Sequence, residues 1–282
     1  MPFLEYQNIA DFLLDNRDYL YQDEIKNHLL LSIALYLQNN PDALPCKPML
    51  IASNPADRVR VVVLMTPPHL MLLTGQSLCP TDLLLDLIEF IRSKGWTLPG
   101  VMGITALAKR FAEIWTSTSS DKSIPGMEER LYKLSEVAYP EPTQGKMRLA
   151  TSGDAPQIVD WVRNFHQEAI PQEPNFNIEE LIQKKITNRD IFLWEDTEPV
   201  SLASRSRPTD HGIVINLVYT PPDQRQRGYA TNLVAHLSQY LLDLGYDFCC
   251  LFTNLANKTS NSIYQKVGYK PVTDFQQIYF RK

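Results

Sequence analysis

NLVYTPPDQRQRGYATNLV, from Asn216 to Val234, decides the reading of this chain. Val218 and Thr220 sit on a β-prone run that Pro221-Pro222 terminates, because proline has no N–H with which to continue a ladder. Arg225, Gly228 and Ala230 follow with the spacing R-x-x-G-x-A. Helical periodicity then begins at once, with Ala230, Leu233, Val234, Leu237, Leu241 and Leu244 on one face and Gly245 as the stop. The stretch is therefore a strand, a short polar loop and a helix start. Such a loop aims several unpaired backbone N–H groups at one point, at the positive end of the helix dipole. That makes an anion site, most often one for phosphate. A lone glycine before a helix is also an ordinary turn. The loop carries one glycine, so it is not a three-glycine dinucleotide fingerprint, and no Gly-Lys-Ser/Thr makes it a Walker loop.

A second stretch, LANKTSNSIYQKVGYKPV from Leu255 to Val272, gives N-x-x-S-x-x-x-Y-x-x-x-G-Y through Asn257, Ser260, Tyr264, Gly268 and Tyr269. Together the two stretches resemble the acetyl-CoA-binding core of the GNAT acetyltransferase superfamily, over Lys146 to Lys282. The resemblance implies acetyl-CoA as cosubstrate; that no metal is implied follows from the five histidines, which are scattered without ligand spacing. The resemblance also implies that the N–H groups of Gln226, Arg227, Gly228, Tyr229, Ala230 and Thr231 grip the CoA pyrophosphate, with Arg225 and Arg227 adding charge. The strand before the loop, at Val218, Tyr219 and Thr220, would bond the pantetheine and polarise the thioester carbonyl. Asn257, Ser260 and Tyr264 would lie along the CoA near its sulfur; Ser260 stands where the family often has alanine.

Composition bounds the rest. The chain has 282 residues, 44% hydrophobic and 21% charged, which is ordinary globular material. A net charge of −5 without a Lys/Arg block argues against a nucleic-acid partner. Cys46, Cys79, Cys249 and Cys250 form no C-x-x-C pair, and the five histidines show no ligand spacing. The acidic start has no secretory signal pattern, and the longest apolar stretch, near Leu29 to Leu37, is too short to span a bilayer. A cytoplasmic protein without a membrane partner is expected.

Along the chain, residues 3–39 read as two helices. Strand-like runs follow at Met49 to Ser53, Val59 to Met65 and Leu70 to Thr74, punctuated by Asn54-Pro55 and Pro67-Pro68. Thr81 is expected to cap a helix from Asp82 to Lys94, with a strand near Val101 and a helix over Thr105 to Ser117 beyond it. Ser117 to Gly126 reads as a loop, Arg130 to Tyr139 as a strand and Pro140 to Gly145 as a linker. The second half repeats the order: a strand at Met147 to Ala150, a helix capped by Asp154, another at Ile178 to Thr187, three strands, the motif helix, the apolar run Phe248 to Phe252, a helix through Tyr264 and a closing strand near Gln277 to Phe280. This order predicts an α/β (α+β) fold of two GNAT-like domains, 1–140 and 146–282. Each is a mixed, mostly antiparallel sheet flanked by helices. The first half offers only Gly75-Gln76-Ser77-Leu78-Cys79-Pro80 at the equivalent place, without the loop motif and without an arginine, so it reads as a degenerate copy that is structural or shapes the substrate.

Acetyl transfer to an amine requires a held donor, a polarised carbonyl, a deprotonated amine and a protonated leaving thiolate. Tyr264 is the candidate acid, since a phenol of pKa about 10 is not far from a thiol of about 8.5; a core tyrosine is the plain alternative. Asn257 serves equally as a helix cap. Glu195, Asp196, Glu198 and Asn216 are near plausible places for a base, and a relayed water needs none of them. Trp161, Phe165 and Glu168 face either an acceptor pocket or, for the aromatics, the core. The acceptor is an amine on a small molecule or a peptide, and an oligomer is left open. A silent acyl-CoA-binding module and a tRNA-dependent aminoacyl transferase are the competing readings.

Overall fold

The computed structural model describes residues 3–54, 60–76, 79–169 and 177–282. Pro55, Val59, Ser77 and Leu78, used above as punctuation, strand and loop, lie outside them. Among the described residues, eight α-helices and twelve strands fall into two compact units. The first comprises Met1–Leu131, Thr253–Ala256 and Val272–Lys282; the second comprises Tyr132–Phe252 and Asn257–Pro271. The division thus lies at Leu131/Tyr132, ahead of the 140–146 boundary expected from the prolines, and the end of the chain returns to the first unit.

In the first unit, β1 (Phe3–Glu5), β2 (Met49–Ser53), β3 (Val61–Met65) and β4 (Met71–Gly75) form an antiparallel meander. β5 (Gly100–Ile104) adds parallel to β4. Alternation decides which side each residue covers. Leu50, Ala52, Val62 and Leu64 pack with Phe12 and Leu20 of α1 (Ile9–Tyr21) and Leu30 and Leu31 of α2 (Glu24–Asn39). Their neighbours Met49, Ile51, Val61 and Val63 pack with Leu84 and Ile91 of α3 (Thr81–Ser93) and Phe111 of α4 (Thr105–Ser117). The last strand, β12 (Lys270–Arg281), pairs antiparallel with β5, Phe275 opposite Ile104.

Several local expectations change, among them the strand expected to Tyr139, which ends at Leu134. Phe3–Glu5 is a strand ahead of the two helices, too short to show any periodicity. Pro80, not Thr81, holds the N-cap position of α3, and the Thr81 hydroxyl instead accepts from Arg110 of α4. Half of the Ser117-to-Gly126 loop, from Lys122 onward, belongs to β6 (Lys122–Leu134), whose Pro125 and Gly126 disguised it. Glycine is required at 126 because a Cβ there would lie 2.5 Å from the Tyr279 ring.

The second unit repeats the order with β7 (Lys146–Leu149), α5 (Ala155–Ala169), α6 (Ile178–Thr187), β8 (Ile191–Asp196), β9 (Glu198–Ser206), β10 (Gly212–Tyr219), α7 (Tyr229–Asp243), β11 (Phe248–Asn254) and α8 (Lys258–Val267). β7 to β10 are antiparallel neighbours and β11 runs parallel to β10. Phe192, Ala203, Ile213 and Ile215 pack under α7 and α8, while Leu193 and Leu202 pack with Ile158 and Val162 of α5 and Ile182 of α6.

The entry into α5 is held by charge. Thr151, rather than Asp154, occupies the cap, and Asp154 closes a capping box by accepting from the Thr151 N–H at 2.7 Å. Arg148 grips both carboxylate oxygens of Asp154 at 2.8 Å and also bonds Glu195. The hydrogen bonds from Arg148 hold the Asp154 carboxyl well below its ordinary 3.8, outweighing the cost of burial. A depressed carboxylate stabilises the fold above its unfolded pKa and loses that contribution as pH falls. Asp154→Asn is therefore expected to cost about 2 kcal/mol at neutral pH. Denaturant unfolding of variant and parent should converge as the pH is lowered below 3.8.

Candidate active site

The strand–loop–helix stretch folds as its residue types require. β10 pairs with β9 in regular register to Asn216/Ser204 and resumes at Tyr219/Leu202, with a bulge between. Leu217 sits at φ 50° inside it. The bulge takes Leu217 and Val218 out of the regular ladder and bends the strand. On its other side β10 pairs with β11 only from Gly212/Phe248 to Val214/Cys250. Beyond Val214 the two strands continue without pairing, so the sheet opens beside the bulge.

After Pro221 a single turn, Pro222–Gln224, leads to the loop. Gln226 has φ 65° and Gly228, the N-cap of α7, has φ 81°. A Cβ on Gly228 would meet nothing closer than Asn232 Nδ2 at 3.7 Å and Thr143 Cβ at 3.9 Å, so the loop surface there is open to a visitor. The N–H groups of Gln224 and Arg225 are spent on Pro221 and Pro222, and that of Asn232 on Gly228. Those of Gln226, Arg227, Gly228, Tyr229, Ala230 and Thr231 have no acceptor among the described residues. Six consecutive open donors at a helix N-terminus form an anion cradle.

The flanking arginines are engaged. Arg225 donates through Nε to the Thr220 carbonyl at 2.9 Å and through Nη2 to both oxygens of Glu168 on α5, at 3.1 and 2.8 Å. Both side chains of that ion pair are over 40% exposed, so it is worth less than about 1 kcal/mol and yields readily to a phosphate. Arg227 bonds the Asp223 carbonyl at 3.3 Å. Tyr229 is turned inward, its hydroxyl donating to Asp196 at 2.6 Å.

Tyr264 is buried on α8, with its ring 6.2 Å from Tyr132 and 5.9 Å from Tyr269. Its hydroxyl has no hydrogen-bond partner among the described residues, and burial pushes its pKa well above the ordinary phenol value. Asn257 and Ser260 meet each other: the Asn257 side chain caps α8 by accepting from the Ser260 N–H at 3.0 Å.

Of the carboxylates near a possible base position, Glu195 is held by Arg148 and Asp196 by Tyr229. Asn216 Oδ1 is buried with no donor, opposite Ser204. Trp161 is core, Phe165 packs against that core, and Glu168 alone of the three reaches the loop. Sequence reasoning missed Ser201, whose hydroxyl holds the end of β10 through the Tyr219 carbonyl at 3.1 Å and Thr220 Oγ1 at 2.9 Å. It also missed the segment read as a linker. Thr143 Oγ1 donates to the Arg227 carbonyl at 3.1 Å and Asn232 Nδ2 to the Glu141 carbonyl at 3.1 Å, so the residues before β7 line the loop. Only the Pro-x-Pro at 140–142 signalled an extended chain there.

In the first unit, the start of α3 is different. The Cys79 N–H is spent on Gln76 at 3.0 Å and Pro80 has none. An arginine does reach this place from α4: Arg110 bonds the Cys79 carbonyl and Thr81.

Comparison with known proteins bears on the fold. The chain aligns with a Drosophila structural-genomics protein at TM-score 0.67 and 12% identity, over 99% of this chain and 98% of that one. It aligns with a GCN5-related N-acetyltransferase from Sphaerobacter thermophilus at TM-score 0.65 and 14% identity, over 99% and 96%. An acetyltransferase of the GNAT family from Colwellia psychrerythraea gives TM-score 0.60 and 13% identity over the full length of both chains. The chain has the GNAT fold. Within it, residues 196–278, which hold β10, the loop, α7, β11 and α8, match the sequence model of the FR47-like protein family. No curated protein matches the sequence. Among the described residues no helix is long and apolar enough to cross a membrane, and no group of three His, Cys, Asp or Glu could hold a metal ion.

Proposed function

We propose that this GNAT-fold chain is an acetyl-CoA-dependent N-acetyltransferase acting on an amine of a small molecule or peptide. The observation that carries the reading is the row of six open N–H groups from Gln226 to Thr231, set at the start of α7 beside the opening between β10 and β11. The cradle takes the CoA pyrophosphate, and the opening takes the pantetheine arm. In the reaction the acceptor nitrogen attacks the thioester carbonyl, a C–N bond forms, the C–S bond breaks, and the nitrogen gives its extra proton to water. Tyr264 supplies a proton to the departing thiolate and is reprotonated from solvent. Burial raises the phenol. It raises a departing thiol in the same site too, so the difference that governs the transfer moves less than either value.

The first unit takes no acetyl-CoA in this reading, because among the described residues its α3 start offers only the ordinary first-turn N–H groups of Thr81, Asp82 and Leu83, with no row of loop donors ahead of them, and its arginine is held on a carbonyl. Calorimetric titration of the full chain should saturate at one equivalent of acetyl-CoA. Two equivalents of similar affinity would overturn the one-site reading. Absence of binding would overturn the function.

A further inference from the structure

The segment from Tyr139 to Thr143 runs along α7 as a strap with three evenly spaced attachments. Thr143 bonds the Arg227 carbonyl, Glu141 accepts from Asn232, and the Tyr139 and His236 rings meet T-shaped with centroids 5.5 Å apart. Successive attachments fall two residues apart on the strap and four or five apart along the loop and α7. Two residues of proline-type extended chain cover about 6 Å, as do four residues of helix. Pro140 and Pro142 favour that conformation, so the match follows from the sequence YPEPT. His236 is in turn fixed by Trp194, 5.2 Å away, whose Nε1 donates to the Gln144 carbonyl at 2.8 Å. The strap ends at Gly145, where φ is 104° and a Cβ would collide with the Glu195 carbonyl at 2.5 Å.

The consequence is an aromatic ring with one ring neighbour and most of its surface open. Tyr139 is 58% exposed although its ring packs T-shaped against His236. It stands about 12 Å along α7 from Gly228, on the same strap that borders the anion cradle. A nucleotide whose diphosphate occupies the cradle can reach that far with its base. We propose that Tyr139, backed by His236, is a stacking platform for the adenine of CoA, and that the strap aligns it with the pyrophosphate loop. The proposal rests on the acetyl-CoA reading above. An exposed tyrosine ring already packed on His236 suits a purine, since stacking needs a flat π-surface and little ordering of the protein on binding.

The test compares CoA with 4′-phosphopantetheine, which lacks the adenosine, its 3′-phosphate and one phosphate of the diphosphate, by calorimetry on the full chain. Tyr139→Ala should weaken CoA about tenfold and leave phosphopantetheine unchanged. Tyr139→Phe should keep the parent affinity for CoA, because the ring and not the hydroxyl is used. Unchanged CoA affinity in Tyr139→Ala, with Gly228→Val still impaired, would remove the platform and leave the donor loop standing. Equal weakening of both compounds would show that Tyr139 acts only by holding the loop, and would also overturn the platform. If the parent protein binds neither compound, the acetyl-CoA reading itself fails and the platform with it.

Discussion

Replacing Tyr264 by phenylalanine is expected to lower turnover on the order of 10²-fold or more while leaving acetyl-CoA affinity nearly unchanged. The substitution keeps the ring that packs between Tyr132 and Tyr269 and removes only the hydroxyl. That hydroxyl bonds nothing among the described residues, so its loss leaves no orphaned partner and little stability is at stake. An effect on rate would therefore report chemistry. The measurement is single-turnover acetyl transfer to a competent amine, under conditions where release of product is not limiting. Full activity of the variant would leave Tyr264 as a core residue and move the proton source to water.

Gly228→Val is expected to abolish acetyl-CoA binding. Two effects act together. Valine at φ 81° is strained, at a cost of about 1–3 kcal/mol, and its branches enter the open space over the six N–H groups. Gly228→Asn separates them, since asparagine tolerates the left-handed region. If the Val variant melts early, the Asn variant should fold like the parent and still bind poorly, because its side chain occupies the cradle. Parent-like affinity in a folded Gly228 variant would show that the loop is an ordinary turn.

Much of this was legible in the sequence, for identifiable reasons. The motif loop could be read because Pro221-Pro222 ends a strand and Gly228 opens an amphipathic helix within a few residues. Thr105 to Ser117 was read to its ends because its apolar spacing is clean. β6 was hidden because its first residues are polar and exposed, and because Gly126 imitates a turn while serving a close contact. The bulge at Leu217 carries no sequence mark, since nothing in a leucine announces a positive φ. On its prolines Pro140 to Gly145 reads as a linker, and Tyr139 as the end of a strand. The role of the strap depends on hydrogen bonds to Arg227 and Asn232, which lie more than 80 residues away in the chain. Contacts of that range are tertiary, and local pattern does not encode them.

The placement of β12 bears on how the chain is made. Its pairing partner β5 emerges from the ribosome more than 150 residues earlier, and until the last strand arrives one edge of β5 lacks that partner. An open edge is a template for wrong pairing during synthesis. Ile278 and Phe280 also belong to the apolar core of the first unit, so that core is complete only when translation reaches them. The first half of this protein is thus the last to be finished. A fragment cut near Tyr139 would be an unfinished domain, so binding measurements on the first half need the whole chain.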